Sequence, residues 1–161
     1  MDLTTATNTS PLNPVLIRLF QKRGISPHTI QDMLSWNLKE IPELTNMIDL
    51  AKASERIIRA LSENEKVGIY GDYDVDGTTS CALLWHFFKM LDVEVDICQP
   101  SRFIEGYGVH KSSIDLAVEK NIKVLITVDC GITAIETADY AKGKLDLIIT
   151  DHHRDGADHI P

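Results

Sequence analysis

The sequence predicts an α/β fold, a mainly parallel sheet with helices on both faces, preceded by a small helical segment at the amino terminus. Two observations lead there. After Asn64 the apolar residues stop recurring at helical spacing and gather into short runs separated by helix-length stretches, the pattern of strands alternating with helices. The connections between these runs are short, which implies right-handed crossovers and a sheet covered on both faces.

Residues 1–13 are rich in Thr, Asn and Ser with little apolar periodicity, and read as a loosely attached, disordered lead. Val15, Leu16, Leu19 and Phe20 have helical spacing over residues 14–23, with Gly24 as terminator. Ser26-Pro27 reads as an N-cap with proline at the first helical position, opening a helix through Leu38 whose apolar face carries Ile30, Met33, Leu34 and Leu38. A third helix, over 47–61, shows Ile48, Ala51, Ile57, Ile58 and Leu61. These helices, within residues 14–63, carry no chemical constellation and read as scaffold. Strands are expected at 67–70, 93–98, 124–128 and 145–150, with helices at 78–91, 111–120 and 134–141. In such sheets ligands bind beyond the carboxyl ends of the strands, which is where the polar residues fall.

A chain of 161 residues with 43% hydrophobic and 25% charged residues can bury one substantial core. No stretch has the apolar length of a membrane span, and Met1-Asp2-Leu3-Thr4-Thr5 has no signal character, so a cytoplasmic protein without a membrane partner is expected. Cys81, Cys98 and Cys130 form no CxxC pair and read as reduced core thiols. The net charge of −8 argues against simple electrostatic binding to nucleic acid, unless part of the acidity is committed to metal ions.

The first strand runs into Gly71-Asp72-Tyr73-Asp74-Val75-Asp76-Gly77-Thr78-Thr79-Ser80. In an extended backbone, residues two apart point the same way, so three carboxylates share one side and call for a hard divalent cation. An acidic helix cap would need only one of them. An EF-hand loop is excluded, because position 83, where it needs Glu, is Leu. The third strand ends in Asp129-Cys130-Gly131, and the fourth in Asp151-His152-His153. Oxygen and imidazole donors at three strand ends describe a two-metal site of the kind that activates water and clamps a phosphate. Adjacent side chains at a strand end diverge, so His152 and His153 are not both expected on one ion. In the loop between the second and third strands, Arg102 suits a phosphate and Tyr107 suits stacking on a base or sugar, against the plain reading of a solvated loop.

The segments GDYDVDGTTS, SRFIEGYG, DCGI and TDHH, in this order and spacing, resemble the RecJ branch of the DHH phosphoesterases across about residues 14–161. Other branches open with a His-containing motif and a single D-x-D pair, unlike Gly71 to Gly77. The resemblance implies a hydrolase using two Mn²⁺ or Mg²⁺ ions that removes nucleotides from the 5′ end of single-stranded DNA in recombination and repair. It implies Asp74, Asp76, Asp129 and His152 as metal ligands, with Asp129 bridging the ions, and His153 on the scissile phosphate. It also implies Asp72 and Asp151 as supporting acidic groups and Arg102 as the residue that recognises phosphate near the 5′ end. A single-strand-binding protein or a helicase would be the protein partner. Members of this branch continue past the last motif, so the resemblance makes residues 64–161 an incomplete domain of a longer protein. Two alternatives stay open: a DHH phosphodiesterase acting on short oligonucleotides or cyclic dinucleotides, and a non-catalytic replication scaffold. The intact ligand set counts against the scaffold.

Overall fold

Strand β1 (Val67–Gly71) is buried at all five positions. In this computed structural model, which describes residues 13–26, 29, 30, 44, 47–154, 160 and 161, it lies inside a single four-stranded sheet. The partners are β2 (Val95–Cys98), β3 (Val124–Val128) and β4 (Asp146–Thr150), all parallel, in the order β2-β1-β3-β4. The chain divides into two compact units, Met1–Asn46 and Met47–Pro161. The first unit holds helix α1 (Pro14–Lys22), started by the Asn13 side chain, which accepts from Val15 N. Residues 31–38 of the expected second helix and residues 1–12 of the expected lead lie outside the described residues. The division at Met47 puts α2 (Leu50–Ser62) in the unit that carries the sheet, whereas the expected boundary stood at residue 64.

The sheet is apolar on both faces, and the strand period of two sorts its residues between two layers. Val67, Ile69, Val124, Ile126 and Val128 pack with Ala60 of α2 and with Cys81 and Phe88 of α3 (Val75–Met90). Tyr70 and Leu125 point the other way, against Ile114 and Ala117 of α4 (Lys111–Glu119) and Ala141 of α5 (Ile135–Ala141). Each fully buried Val, Leu or Ile contributes roughly 1.5–3 kcal/mol. The central strands therefore hold the sheet together, and β2 and β4 close it as partly exposed edges. All three cysteines are buried and free. No described helix is long and apolar enough to cross a membrane.

Helix α3 starts three residues earlier than the expected residue 78. Asp74 is its N-cap, and its side chain accepts from Gly77 N at 2.9 Å. Gly77 then packs directly on the end of β1, where a Cβ at that position would stand 2.3 Å from the Asp72 carbonyl oxygen. Only glycine permits that approach. Gly77→Ala should therefore cost about 1–3 kcal/mol or more, as overpacking does, read as a lower urea midpoint. An unchanged midpoint would mean that the helix start does not bear on β1.

Candidate metal centre

In the order β2-β1-β3-β4 the chain leaves β1 toward β2 and then crosses back to β3, so the crevice beyond β1 and β3 is the switch point where α/β sheets bind ligands. Register decides which side chains meet there. Gly71, Val128 and Thr150 form one row across β1, β3 and β4. The next residues, Asp72, Asp129 and Asp151, leave the sheet side by side.

Asp72 is 1% exposed, and its Oδ1 has no hydrogen-bond partner among the described residues. Its carbonyl accepts from Gln99 Nε2 at 3.3 Å. Because α3 begins at Val75, the backbone is not extended through Asp76, and the expectation of three carboxylates on one side of a strand does not hold. Asp72 is buried at the strand end, Asp74 caps the helix, and Asp76 is exposed in the first turn, facing the positive end of the helix dipole. Among the described residues, the ligand atoms that cluster at Asp129 come from His152 and His153, and neither Asp74 nor Asp76 is one of them.

Asp129 has φ +60°, a left-handed conformation that Asp and Asn tolerate better than most residues. Three contacts brace it: Asp129 N donates to Thr150 O at 3.0 Å, Thr127 Oγ1 to Cys130 O at 2.8 Å, and Thr150 Oγ1 to Thr127 O at 2.6 Å. Its carboxylate is 4% exposed with His152 Nε2 only 2.9 Å from Oδ1, yet neither oxygen has an aligned hydrogen-bond donor among the described residues. Burial raises the Asp129 carboxyl above its ordinary range, and the Asp74 charge raises it further against the pull of the two histidines. Asp74 is lowered, chiefly by the Gly77 N–H. Two carboxylates driven apart in this way share a site that neither satisfies alone.

Asp129, His152 and His153 offer ligand atoms that all lie within 4.8 Å of one another. The two imidazoles do not diverge; their centroids are 4.7 Å apart and their planes are tilted by 51°. The reason is local. β4 ends at Thr150, and alternation belongs to extended backbone, which the chain has left. Asp151 folds back instead, its Oδ1 accepting from His153 N at 3.0 Å and lying 2.7 Å from His153 Nδ1, while Oδ2 accepts from Ile132 N at 3.0 Å. Burial works to raise Asp151, but these donors outweigh it and the carboxyl is lowered. Asp151 in turn raises His153. An ionised carboxylate only accepts, so the proton of the His153 ring is assigned to Nδ1, which also lies 3.9 Å from Asp129 Oδ1.

The loop after β2 is tied to itself: Ser101 O accepts from the backbone of Ile104, Glu105 and Gly106, and Glu105 Oε2 accepts from Ser101 N at 2.6 Å. Arg102 lies 4.7 Å from the centre of the Tyr73 ring. The two residues border, with Asp74, Val75, Thr78 and Thr79, a depression of about 430 Å³ at the amino end of α3. The Tyr107 hydroxyl stands 3.1 Å from His153 Nδ1 and donates to Asp129 O at 3.3 Å. Burial pushes Tyr107 up to about 12, so it acts as a neutral donor.

The sheet edge thus gathers Asp129, Asp151, His152, His153 and Tyr107, with Asp74 beside Asp129, sets Arg102 and Asp74 on the border of one depression, and leaves Asp76 exposed in the first turn of α3. Gln99 and Tyr73 were missed at the sequence level. Gln99 follows β2 as Asp72 follows β1, so the strand-end rule itself pointed to it. Buried anionic oxygens without donors are costly, and a hard divalent cation satisfies them. A mixed set of carboxylates and imidazoles suits Mn²⁺ or a related ion. The residues present fit such an ion.

The DHH family, N-terminal domain, matches residues 66–161. The chain is 37% identical over 147 residues to the single-stranded-DNA-specific exonuclease RecJ of Bacillus subtilis, covering 90% of this chain and 19% of that protein. It is 30% identical over 159 residues to the same-named protein of Escherichia coli, covering 94% of this chain and 26% of the relative. Among solved structures, it is similar to exonuclease RecJ bound to manganese, with a TM-score of 0.61 at 33% identity over 68% of this chain and 29% of that one. The likeness to RecJ of Thermus thermophilus in complex with Mn²⁺, with a TM-score of 0.64 at 24% identity over 88% of this chain and 19% of that one, concerns the fold alone. The chain spans about a fifth to a quarter of the length of these curated relatives.

Asp129→Asn keeps a residue suited to the left-handed backbone and removes the charge that opposes Asp74. Without divalent cations it should raise the stability of the chain by roughly 0.5–2 kcal/mol, the range of a typical stabilising change. It should also abolish the stabilisation that added Mn²⁺ gives the unaltered chain, since a ligand stabilises only the state that binds it. Thermal melts in EDTA and in Mn²⁺ read both effects. A variant that still melts higher in Mn²⁺ would remove Asp129 from the metal centre.

Proposed function

The chain belongs to the DHH family, and on that premise we propose that it carries the divalent-cation site of a phosphodiester hydrolase acting from the 5′ end of single-stranded DNA. We place this activity in the cytoplasm, in recombination and repair. The observation that carries the reading is the single register row Gly71, Val128 and Thr150, from which carboxylates and imidazoles converge on the unpartnered oxygens of Asp129.

Asp129 and His152 would hold the divalent ions, with Asp74, the cap of α3, and Asp76, exposed in its first turn, supplying further carboxylates from the adjoining helix start. Bound there, Mn²⁺ or Mg²⁺ supplies an activated water and polarises the phosphoryl oxygen. The chain's own residues do the rest. Asp72, buried and with its Oδ1 unpartnered among the described residues, would support the site as a further acidic group. Asp151 fixes the His153 ring by Nδ1 and favours the imidazolium, in which Nε2 is also a donor and can bind a phosphoryl oxygen. Arg102 presents a planar fork to the terminal phosphate, and stacking on Tyr73 limits the freedom that the fork loses on binding. Tyr107, whose hydroxyl is occupied, offers its half-exposed ring to a sugar or base. A single-strand-binding protein or a helicase that exposes 5′ ends is the partner class this reading implies.

In the natural polypeptide that carries these residues, long 5′-labelled single strands should be degraded in Mn²⁺ or Mg²⁺ and not in EDTA, with cyclic dinucleotides left intact. Arg102→Ala should slow degradation of 5′-phosphorylated strands by about ten- to a hundred-fold, the worth of a charge-assisted contact. The loss should be smaller on 5′-hydroxyl strands, and Arg102→Lys should recover only part of it. Equal losses on both ends would withdraw 5′-phosphate recognition, and turnover of cyclic dinucleotides in place of long strands would replace the substrate class.

A further inference from the structure

Strand β1 serves the site from both of its faces. While its end leads to the carboxylates, Tyr70 points into the opposite layer, 1% exposed, in the cluster that holds Val109, Ile114 and Ala117. Its hydroxyl joins two elements. Ser113 Oγ of α4 donates to it at 3.1 Å, and it donates to the Gly108 carbonyl at 3.0 Å. The following carbonyl, of Val109, accepts from Thr137 Oγ1 of α5 at 3.1 Å. Two successive carbonyls are thus gripped by buried hydroxyls from different elements. They are gripped where Gly106 and Gly108, at φ +77° and +97°, give the backbone the most freedom to wander. Tyr107 stands immediately before this clamp, with its own hydroxyl on Asp129 O and 3.1 Å from His153 Nδ1.

We propose that Tyr70 is a positioning residue, which acts through the Gly108 carbonyl to fix Tyr107 and through Tyr107 to set the direction of the His153 ring. Asp151 Oδ1 restrains the His153 backbone N–H and Nδ1 from one side. The Tyr107 oxygen, 3.1 Å from the same nitrogen, restrains Nδ1 from a second side and so narrows the spread of ring orientations. Small misplacements of a group beside reacting atoms are expensive in rate, which is why a residue remote from the chemistry can matter. The effect on turnover rests on the reading of His153 given above; the effect on ring orientation does not.

Tyr70→Phe keeps the ring volume and removes only the hydroxyl. In the metal-free 161-residue chain, nitrogen-edited NMR should show the His153 ring resonances displaced in the direction produced by Tyr107→Phe, with those of His86 unmoved. Ser113→Ala, which takes away only the donor to Tyr70, should displace them the same way by less. In the natural polypeptide, Tyr70→Phe should lower kcat on single-stranded DNA by about ten-fold, the upper range for one neutral hydrogen bond, with KM little changed. It should cost nothing further in a Tyr107→Phe background, because the two act in series. Unmoved His153 resonances, or losses that multiply in the double variant, would overturn the proposal. Displaced resonances with unchanged kcat would leave the positioning intact and count instead against His153 as a group beside the phosphate.

Discussion

The constraint on which the site depends is the presence of two buried carboxylate oxygens on Asp129 that no described donor satisfies, facing a second carboxylate at Asp74. A buried carboxylate with a second carboxylate beside it needs something to offset its charge. The surroundings of Asp129 read as devices that keep it there. Its left-handed backbone turns it off the end of β3, and the hydroxyls of Thr127 and Thr150 lock that turn from two strands. Asp74 is kept ionised by the helix it caps, so it cannot relieve the crowding by taking up a proton.

The sheet transmits this constraint to the rest of the unit. β1 and β3 are the strands buried at every position, and the site sits where they end. Displacing either strand along its axis would unstack the apolar layers on both faces and break the row from which the acidic residues emerge. The stability of the core and the geometry of the crevice are therefore one property. Gly77 illustrates this, since its missing side chain lets the helix bearing Asp74 start directly against Asp72. Tyr70 does so from the other face, where core packing and loop placement meet in one side chain.

The fold was legible because hydrophobic periodicity is a strong signal over runs as apolar as residues 67–70 and 124–128, and because short connections leave few topologies. The place of the candidate site was legible for a related reason: in a parallel sheet, polar residues that follow apolar strands gather at one edge, as Asp129, His152 and His153 do. Its geometry was less so. Alternation suggested that Asp72, Asp74 and Asp76 share a side and that His152 and His153 part. Both inferences assume extended backbone, and both segments lie just past a strand end, where a cap or an Asx turn redirects the chain. Reading Asp74 and Gly77 together as a cap with its close-packed partner would have corrected the first. Nothing in the sequence marks the Tyr70 hydroxyl as partner of the Gly108 carbonyl, since that contact joins residues 38 positions apart through tertiary packing.

The most direct measurement uses the paramagnetism of Mn²⁺ itself. Added in small increments to the isotopically labelled chain, the ion should broaden the ring resonances of His152 and His153 first. At the same fractions it should leave those of His86, about 18 Å along α3 from Asp74 by the helical rise, visible. Substituting Asp129→Asn should erase the selectivity. Uniform broadening of all the histidines, or selective broadening that survives in that variant, would contradict a metal centre built around Asp129.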